Sequence, residues 1–509
     1  MLLGDLLVRN SRLCPETPAL RFEGRTVSYG DLNARVNRLA HAISRKVRRG
    51  DRVAFLSKNR PELIELYFAN AKAGTVTVPV NCRLTPAEAE YVISHSDARL
   101  LFVAPEFRAV AEAAASAAPG LQVVELDLYE TLIAQEADSE PAVPVADTEV
   151  LWQMYTSGTT GRPKGAMLTH RNAVANLLSY LFEIPAERGD RFLVVTPLYH
   201  VAAVIFYLRC IAQAGTAVLH ADFAPARVLR DIQEHKVNFT SFVPTMIQAL
   251  LDAPELARTD LSSLKVLSYG AAPMPAEVLR RAVKAFPCRF VQGYGQTEAL
   301  AVLSILRPED HVLDGPPEKM RRLSSCGREI FGVTLRVVDG EGRGVAPGEV
   351  GEIVAKGDSI MAGYYKMPEE TAKALQNGWL HTGDLATVDT EGYITIVDRA
   401  KDMIISGGEN IYPREIEEVL HAHPAVADAA VIGIPDGKWG EVPLAVVVAR
   451  PGTVPGEEEI IAHCRKRLAG FKVPKRVEFV KELPRNPSGK VLKRVLREPY
   501  WKGRERRVH

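Results

Sequence analysis

Apolar residues recur along this chain in two alternating rhythms, one helical and one extended. Ser28-Tyr29-Gly30-Asp31 has the spacing of a capping box, and after it Leu32, Val36, Leu39, Ile43 and Val47 keep to one helical face. Residues 53–56 then read as a strand, a helix starts at Pro61, and 75–80 reads as a strand again. The alternation returns with strands at 192–195, 217–219, 239–243 and 264–268, and helices at 201–212, 227–235 and 276–286. Such alternation predicts parallel sheets covered on both faces, with ligands beyond the carboxyl ends of the strands. Near residue 327 the texture changes. Residues 335–338, 353–355 and 393–397 are short strands separated by Asp339-Gly340, Glu341-Gly342 and Glu391-Gly392, dipeptides that mark hairpin turns. From about Lys401 a small unit of strands and helices runs to Leu496. The expected fold class is α/β. A large N-terminal domain (1–399) of doubly wound, mostly parallel sheets carries a small β-barrel-like part, and a small α+β domain (400–509) follows.

Composition narrows the function classes. The chain has 509 residues, of which 47% are hydrophobic and 25% charged, enough for several well-filled cores. A formal net charge of +1 gives the molecule no overall pull toward nucleic acid and allows at most peripheral membrane contact. Asp5 interrupts the apolar start, so no secretory signal is read there. The most apolar stretch, 201–219, is broken by Arg209 and Gln213 and suits a buried helix better than a span of ~20 residues. Six scattered cysteines without a CxxC pattern argue against a zinc site and a disulfide framework, and a cytoplasmic location is expected. The stretch 465–509 is basic, with 16 Lys/Arg against four Asp/Glu; it fits either a solvated tail or a surface for a nucleotide's phosphates.

One loop points to a chemistry. Residues 151–155 read as a strand running into Thr156-Ser157-Gly158-Thr159-Thr160-Gly161-Arg162-Pro163-Lys164-Gly165. Glycines let backbone N–H groups approach a polyphosphate closely, the hydroxyls donate further hydrogen bonds, and Lys164 adds charge. A Walker-type loop is excluded, because Pro163 stands where GxxxxGK requires glycine.

The string YTSGTTGRPKG (155–165) resembles the signature loop of the adenylate-forming superfamily, which contains acyl-CoA synthetases, firefly-type luciferases and peptide-synthetase adenylation domains. The resemblance continues, in family order, through Val27-Ser28-Tyr29, Lys72-Ala73-Gly74, Tyr294-Gly295-Gln296-Thr297-Glu298, Gly351-Glu352-Ile353, Thr382-Gly383-Asp384, 398–411 and 484–490, and spans nearly the whole chain. It implies an ATP-dependent acid–thiol ligase that joins a carboxylate to AMP, releases pyrophosphate, and passes the acyl group to coenzyme A. In that scheme Glu298 is the magnesium ligand, Thr297 bonds the α-phosphate, Gly270-Ala271-Ala272 is the small-residue wall against which adenine stacks, and Gly293, Tyr294, Gly295 and Gln296 are further ATP/AMP-binding residues. Asp384 takes the ribose hydroxyls, which a carboxylate can accept in pairs, and Arg399 joins it. Lys490 is the implied catalytic lysine, bridging substrate carboxylate and α-phosphate. Lys401 is the implied hinge about which the small domain turns between two half-reactions. In the second of these, Gly407 and Gly408 form a wall for the pantetheine arm, and Lys438 or Lys472 meets the phosphates of coenzyme A.

The implied acyl pocket draws on Tyr199, His200, Val201, Val243, Ala271, Gly293 and Leu300. These segments are apolar and small, with no cation to meet a second carboxylate. They favour a lipophilic monocarboxylic acid, either a medium- or long-chain fatty acid or a cinnamate-like aryl acid. An acyl-AMP ligase or a carrier-protein-loading enzyme is the alternative, a luciferase-type oxygenase has no support beyond the shared motifs, and a homodimer is admitted without being required. A non-catalytic nucleotide-binding module is disfavoured, since Lys164, Glu298, Asp384, Arg399 and Lys490 are all present.

Overall fold

A computed structural model describes residues 1–156, 162–485 and 490–502. The first amphipathic helix forms as its pattern predicts. The Ser28 side chain accepts the Asp31 N–H at its start, and Tyr29–Lys46 buries Leu32, Val36, Leu39 and Ile43 completely.

Among the described residues the strands form four sheets. In the nine-stranded sheet, Arg289–Tyr294, Val266–Gly270, Phe239–Phe242, Arg191–Val194, Thr216–Leu219 and Pro18–Phe22 run parallel in that spatial order. The seven-stranded sheet has Val150–Thr156, Val76–Val80, Arg52–Leu56, Ala98–Val103 and Gln122–Glu125 in parallel. Antiparallel strands close some of the edges, Lys164–Thr169 and Gly363–Tyr364 among them. The helix Val201–Ala212 lies in the main core, where Arg209 is wholly buried against the rings of Phe239, Tyr180 and Phe192. No helix of the described residues is long and apolar enough to cross a membrane. The six cysteines form no disulfide.

The expected strand at 264–268 lies two residues further on, at Val266–Gly270. Leu264 closes a turn onto Leu261, and the Lys265 and Val266 N–H groups both reach the Asn238 carbonyl, which delays the ladder. Gly270 therefore belongs to the strand instead of following it.

The antiparallel half-barrel expected after residue 327 is a five-stranded sheet of Val333–Val338, Gly351–Gly357, Trp379–Val388, Leu375–Gln376 and Ile394–Arg399. Residues 400–403 lead from it into a fourth sheet, whose long hairpin pairs Val426–Asp436 with Gly440–Ala449. Side chains of that hairpin alternate between two small cores. Ala429, Val431, Ala445 and Val447 pack with Ile416 and Ile460 of the helices Pro413–His421 and Glu457–Arg465. Ala430, Ile432, Leu444 and Val446 face the other way, toward Leu496 and Tyr500 of the helix Lys493–Trp501.

Candidate active site

Two glycines expected to line the nucleotide site owe their position to strand register. Gly270 and Gly293 are cross-strand partners in the parallel sheet, and a Cβ on Gly270 would lie 2.3 Å from the Gly293 carbonyl oxygen. Only glycine allows this approach. The adjacent Ala271, exposed, takes the left-handed φ of +63°.

Past Tyr294 and Gly295 the chain makes a short 3-10 turn, Thr297–Ala299, and then two strained residues, Leu300 (φ +59°) and Ala301 (φ +87°). The N–H groups of Leu300, Ala301 and Leu303 bond the carbonyls of Thr297, Gln296 and Tyr294 and hold this corner shut. Glu298 is buried there. Its Oε1 accepts the Tyr364 hydroxyl at 2.7 Å and the Thr156 hydroxyl at 3.4 Å, and its own carbonyl accepts the Met361 N–H at 2.8 Å. No cluster of three metal-ligating side chains occurs among the described residues. A single hard carboxylate fits magnesium, which takes one or two protein carboxylates and completes its shell with water and phosphate oxygens.

Ser157, Gly158, Thr159, Thr160 and Gly161 lie outside the described residues. Their flanks pair as Thr156 with Lys164 across a hairpin, so the loop joins two antiparallel strands. The Lys164 ammonium is ion-paired with Glu370 and stands 5.1 Å over the Tyr364 ring, which also serves Glu298.

Asp384 and Arg399 are likewise cross-strand partners, in the half-barrel. Arg399 Nε lies 3.2 Å from Asp384 Oδ1, and the Tyr294 hydroxyl donates to Oδ2 at 2.8 Å. Burial, then Asp384, holds the Tyr294 hydroxyl far above its ordinary pKa, so it remains a donor. A carboxylate offers about four lone-pair sites, which leaves Asp384 room for two ribose hydroxyls.

Lys490 comes to this cluster from the far end of the chain. Its ammonium is pushed down to about 8 by burial and by the charge of Arg399, with Lys401 adding to the effect while Asp384 and Glu298 oppose it. These residues therefore share one electrostatic site. His200, the residue before Val201–Ala212, is held neutral: burial, aided by Lys490 and Arg83, brings its imidazole down to about 4. Tyr199 stacks obliquely on His200 with ring centroids 4.6 Å apart, and Tyr199 Oη and His200 Nε2 are both buried without a hydrogen-bond partner. Val201 is buried, Val243 precedes the helix Pro244–Leu251, and Leu300 is fully buried in the main core.

The pocket segments contain no cation, yet Arg83 reaches the electrostatic neighbourhood of both Tyr199 and His200. It arrives from the turn after Val76–Val80, a segment with no periodic signal. Arg83 and Lys58 line a cleft of about 440 Å³ at the carboxyl ends of both parallel sheets, together with Tyr199, Glu106 and Asp222. Lys58 and Asp222 pair across it at 2.8 Å. Sequence reading also missed Tyr364 and Glu370, whose neighbours in sequence give no hint of the partners they meet in space.

Residues expected to meet coenzyme A make their described contacts within the small domain. Gly407 (φ +60°) donates its N–H to the Trp439 carbonyl, and a Cβ there would strike the Trp439 ring at 2.6 Å. Gly408 is exposed with φ +90°. Lys438 covers the Trp439 ring, and Lys472 is paired with Glu415 at 2.7 Å.

Residues 7–365 match the model of the AMP-binding enzyme family, and 415–490 match that of the AMP-binding enzyme C-terminal domain. The chain is 43% identical over 501 residues to a feruloyl-CoA synthase of an Amycolatopsis species, covering 98% of this chain and 99% of the relative. It is 38% identical over 502 residues to the fatty acid–[acyl-carrier-protein] ligase ScoC of Streptomyces coeruleorubidus, covering 97% and 96%. Among solved structures it resembles the o-succinylbenzoate coenzyme A synthetase of Bacillus subtilis in complex with ATP and magnesium ion, with a TM-score of 0.86, 32% identity, and 96% and 98% of the two chains covered. With the family models spanning most of its length and relatives matched end to end, this chain belongs to the AMP-binding enzymes of the adenylate-forming superfamily.

Proposed function

We propose that this protein is an ATP-dependent acyl-CoA ligase for a lipophilic aryl acid of the hydroxycinnamate kind. The observation that carries the reading is the convergence of Lys490, from the small domain, with Asp384, Arg399 and Glu298 of the large one. Adenylation brings an anionic carboxylate to a polyanionic triphosphate, so its barrier is mostly electrostatic. Asp384 and Arg399 hold the ribose, Lys164 leaves Glu370 for the leaving phosphates, and Glu298 would hold magnesium, which would neutralise phosphate charge. Lys490 stands between the two reacting anions. A carboxylate oxygen forms a bond to the α-phosphorus, the bond to the bridging oxygen breaks, and pyrophosphate departs. In the second half-reaction the small domain turns about Lys401, the sulfur of coenzyme A attacks the acyl carbonyl, and AMP leaves. The 440 Å³ cleft offers Arg83 and Lys58 to the phosphates of coenzyme A, beside the acyl wall at Tyr199.

Two features favour an aryl acid with a polar ring substituent. Tyr199 Oη and His200 Nε2 are buried without partners, which is costly unless a ligand supplies one, and the feruloyl-CoA synthase is 43% identical along its whole length. A fatty acid is the second reading, supported by the likeness to ScoC, which also keeps a carrier-protein thiol in play. A pyrophosphate-release assay over hydroxycinnamates, fatty acids and small diacids, run with and without coenzyme A, tests all three readings. Preference for hydroxycinnamates with loss of the coenzyme A thiol is expected. Preference for a fatty acid, or AMP formation without thiol loss, overturns the corresponding part.

A further inference from the structure

The last described helix, Lys493–Trp501, begins three residues after Lys490 and is held on two sides. Its apolar face, with Leu496 and Tyr500, packs on the small-domain sheet. Its other face sets Lys493 and Arg497 one turn apart. Lys493 Nζ lies 2.8 Å from Glu417, and Asp398 and Asp402 also favour its charge. Arg497 grips the linker between the two domains twice. Nη1 donates to the Lys401 carbonyl at 3.1 Å, and Nη2 is ion-paired with Asp402. The side chains of this pair are 13% and 12% exposed, so water does little to loosen it. On the large-domain side the linker is tied by different bonds, from the Asp402 and Met403 N–H groups to the Arg399 carbonyl.

We infer that Arg497, braced by Lys493, is a positioning residue for Lys490: it fastens the peptide between Lys401 and Asp402 to the final helix. The linker peptide then moves as part of the small domain, and the swivel is confined to the backbone bonds on its N-terminal side. The distance from pivot to Lys490 is fixed, so each closure delivers the ammonium to the same place. Sheet packing alone would orient the helix and leave the linker peptide free to turn against it. Lysine cannot replace Arg497, because a single ammonium lacks the planar fork that serves a carbonyl and a carboxylate together. The inference rests on the proposed roles of Lys490 and Lys401.

The test measures pyrophosphate release and, separately, thioester formation from supplied acyl-adenylate in the full-length protein. Variants are Arg497→Ala, Arg497→Lys, Lys490→Ala and the Arg497→Ala/Lys490→Ala double. Misplacing a catalytic group by an ångström costs about a hundredfold, so Arg497→Ala should lose about that in kcat for pyrophosphate release. KM for ATP and thioester formation should hold, Arg497→Lys should restore little, and the double variant should be no slower than Lys490→Ala alone. If Arg497→Ala does not fold, Asp402→Asn, which keeps the side-chain shape, carries the same expectations. Equal losses in both half-reactions, losses that multiply in the double variant, or no loss at all would overturn the latch. Retained pyrophosphate release in Lys490→Ala would instead overturn the proposed function beneath it.

Discussion

Replacing Lys490 by alanine removes one positive charge from a site already shared by Arg399, Lys401, Asp384 and Glu298. The size of the effect follows from the surroundings. Two unit charges about 4 Å apart interact by about 4 kcal/mol at an effective dielectric of about 20, a value suited to a half-buried group like this one. One such interaction gained only as charge builds between carboxylate and phosphorus is therefore worth about three decades in rate. Loss of a single preorganised donor from an oxyanion site costs ~2.7–4 kcal/mol, which agrees. Lys490→Ala should thus lower kcat for pyrophosphate release about a thousandfold while the fold, followed by thermal unfolding, stays intact. Thioester formation from supplied acyl-adenylate should be little changed, because in the proposed mechanism that half-reaction uses the small domain in another orientation. If both half-reactions drop together in a folded protein, a lysine that serves adenylation alone is refuted.

Three other outcomes are expected. Lys490 is held down to about 8, so kcat/KM for pyrophosphate release, which reports the free enzyme, should be level just below that pH and fall as pH rises through it; Lys490→Arg should move the fall upward in a pH–rate profile. Gly270→Ala drives a methyl to 2.3 Å from the Gly293 carbonyl, and overpacking of that kind costs ~1–3 kcal/mol, to be read as a lowered melting temperature with a raised KM for ATP. Arg83→Ala should raise KM for coenzyme A by about tenfold or more, the worth of a charge-assisted hydrogen bond of ~1.5–3 kcal/mol, and leave pyrophosphate release untouched; an unchanged KM for coenzyme A would remove Arg83 from that role.

Periodicity made the helix Val201–Ala212 legible to the residue, and capping chemistry placed the start of Tyr29–Lys46. Both signals are local, which is why they survive in a single sequence. Strand neighbours are not local. Nothing between Gly270 and Gly293 announces that they lie side by side, and the pairing of Asp384 with Arg399 depends on a register shift at Leu385 and Ala386. The motifs identified these residues through family likeness, and the sheets supply the physical reason they meet. Arg83, Tyr364 and Glu370 stayed hidden for the complementary reason. Arg83 follows a strand, Tyr364 lies in a two-residue strand and Glu370 in a short helix, none of which carries a local signal, and the significance of each comes from what faces it in space.

The bent corner after Glu298 has a kinetic consequence. Left-handed backbone at two non-glycine residues costs of order 1–3 kcal/mol each, and here it persists because three main-chain hydrogen bonds over-determine it. That expense falls once, when the polypeptide folds, so a carboxylate already aimed and desolvated greets every incoming nucleotide. No rearrangement of this corner is then needed to aim that carboxylate.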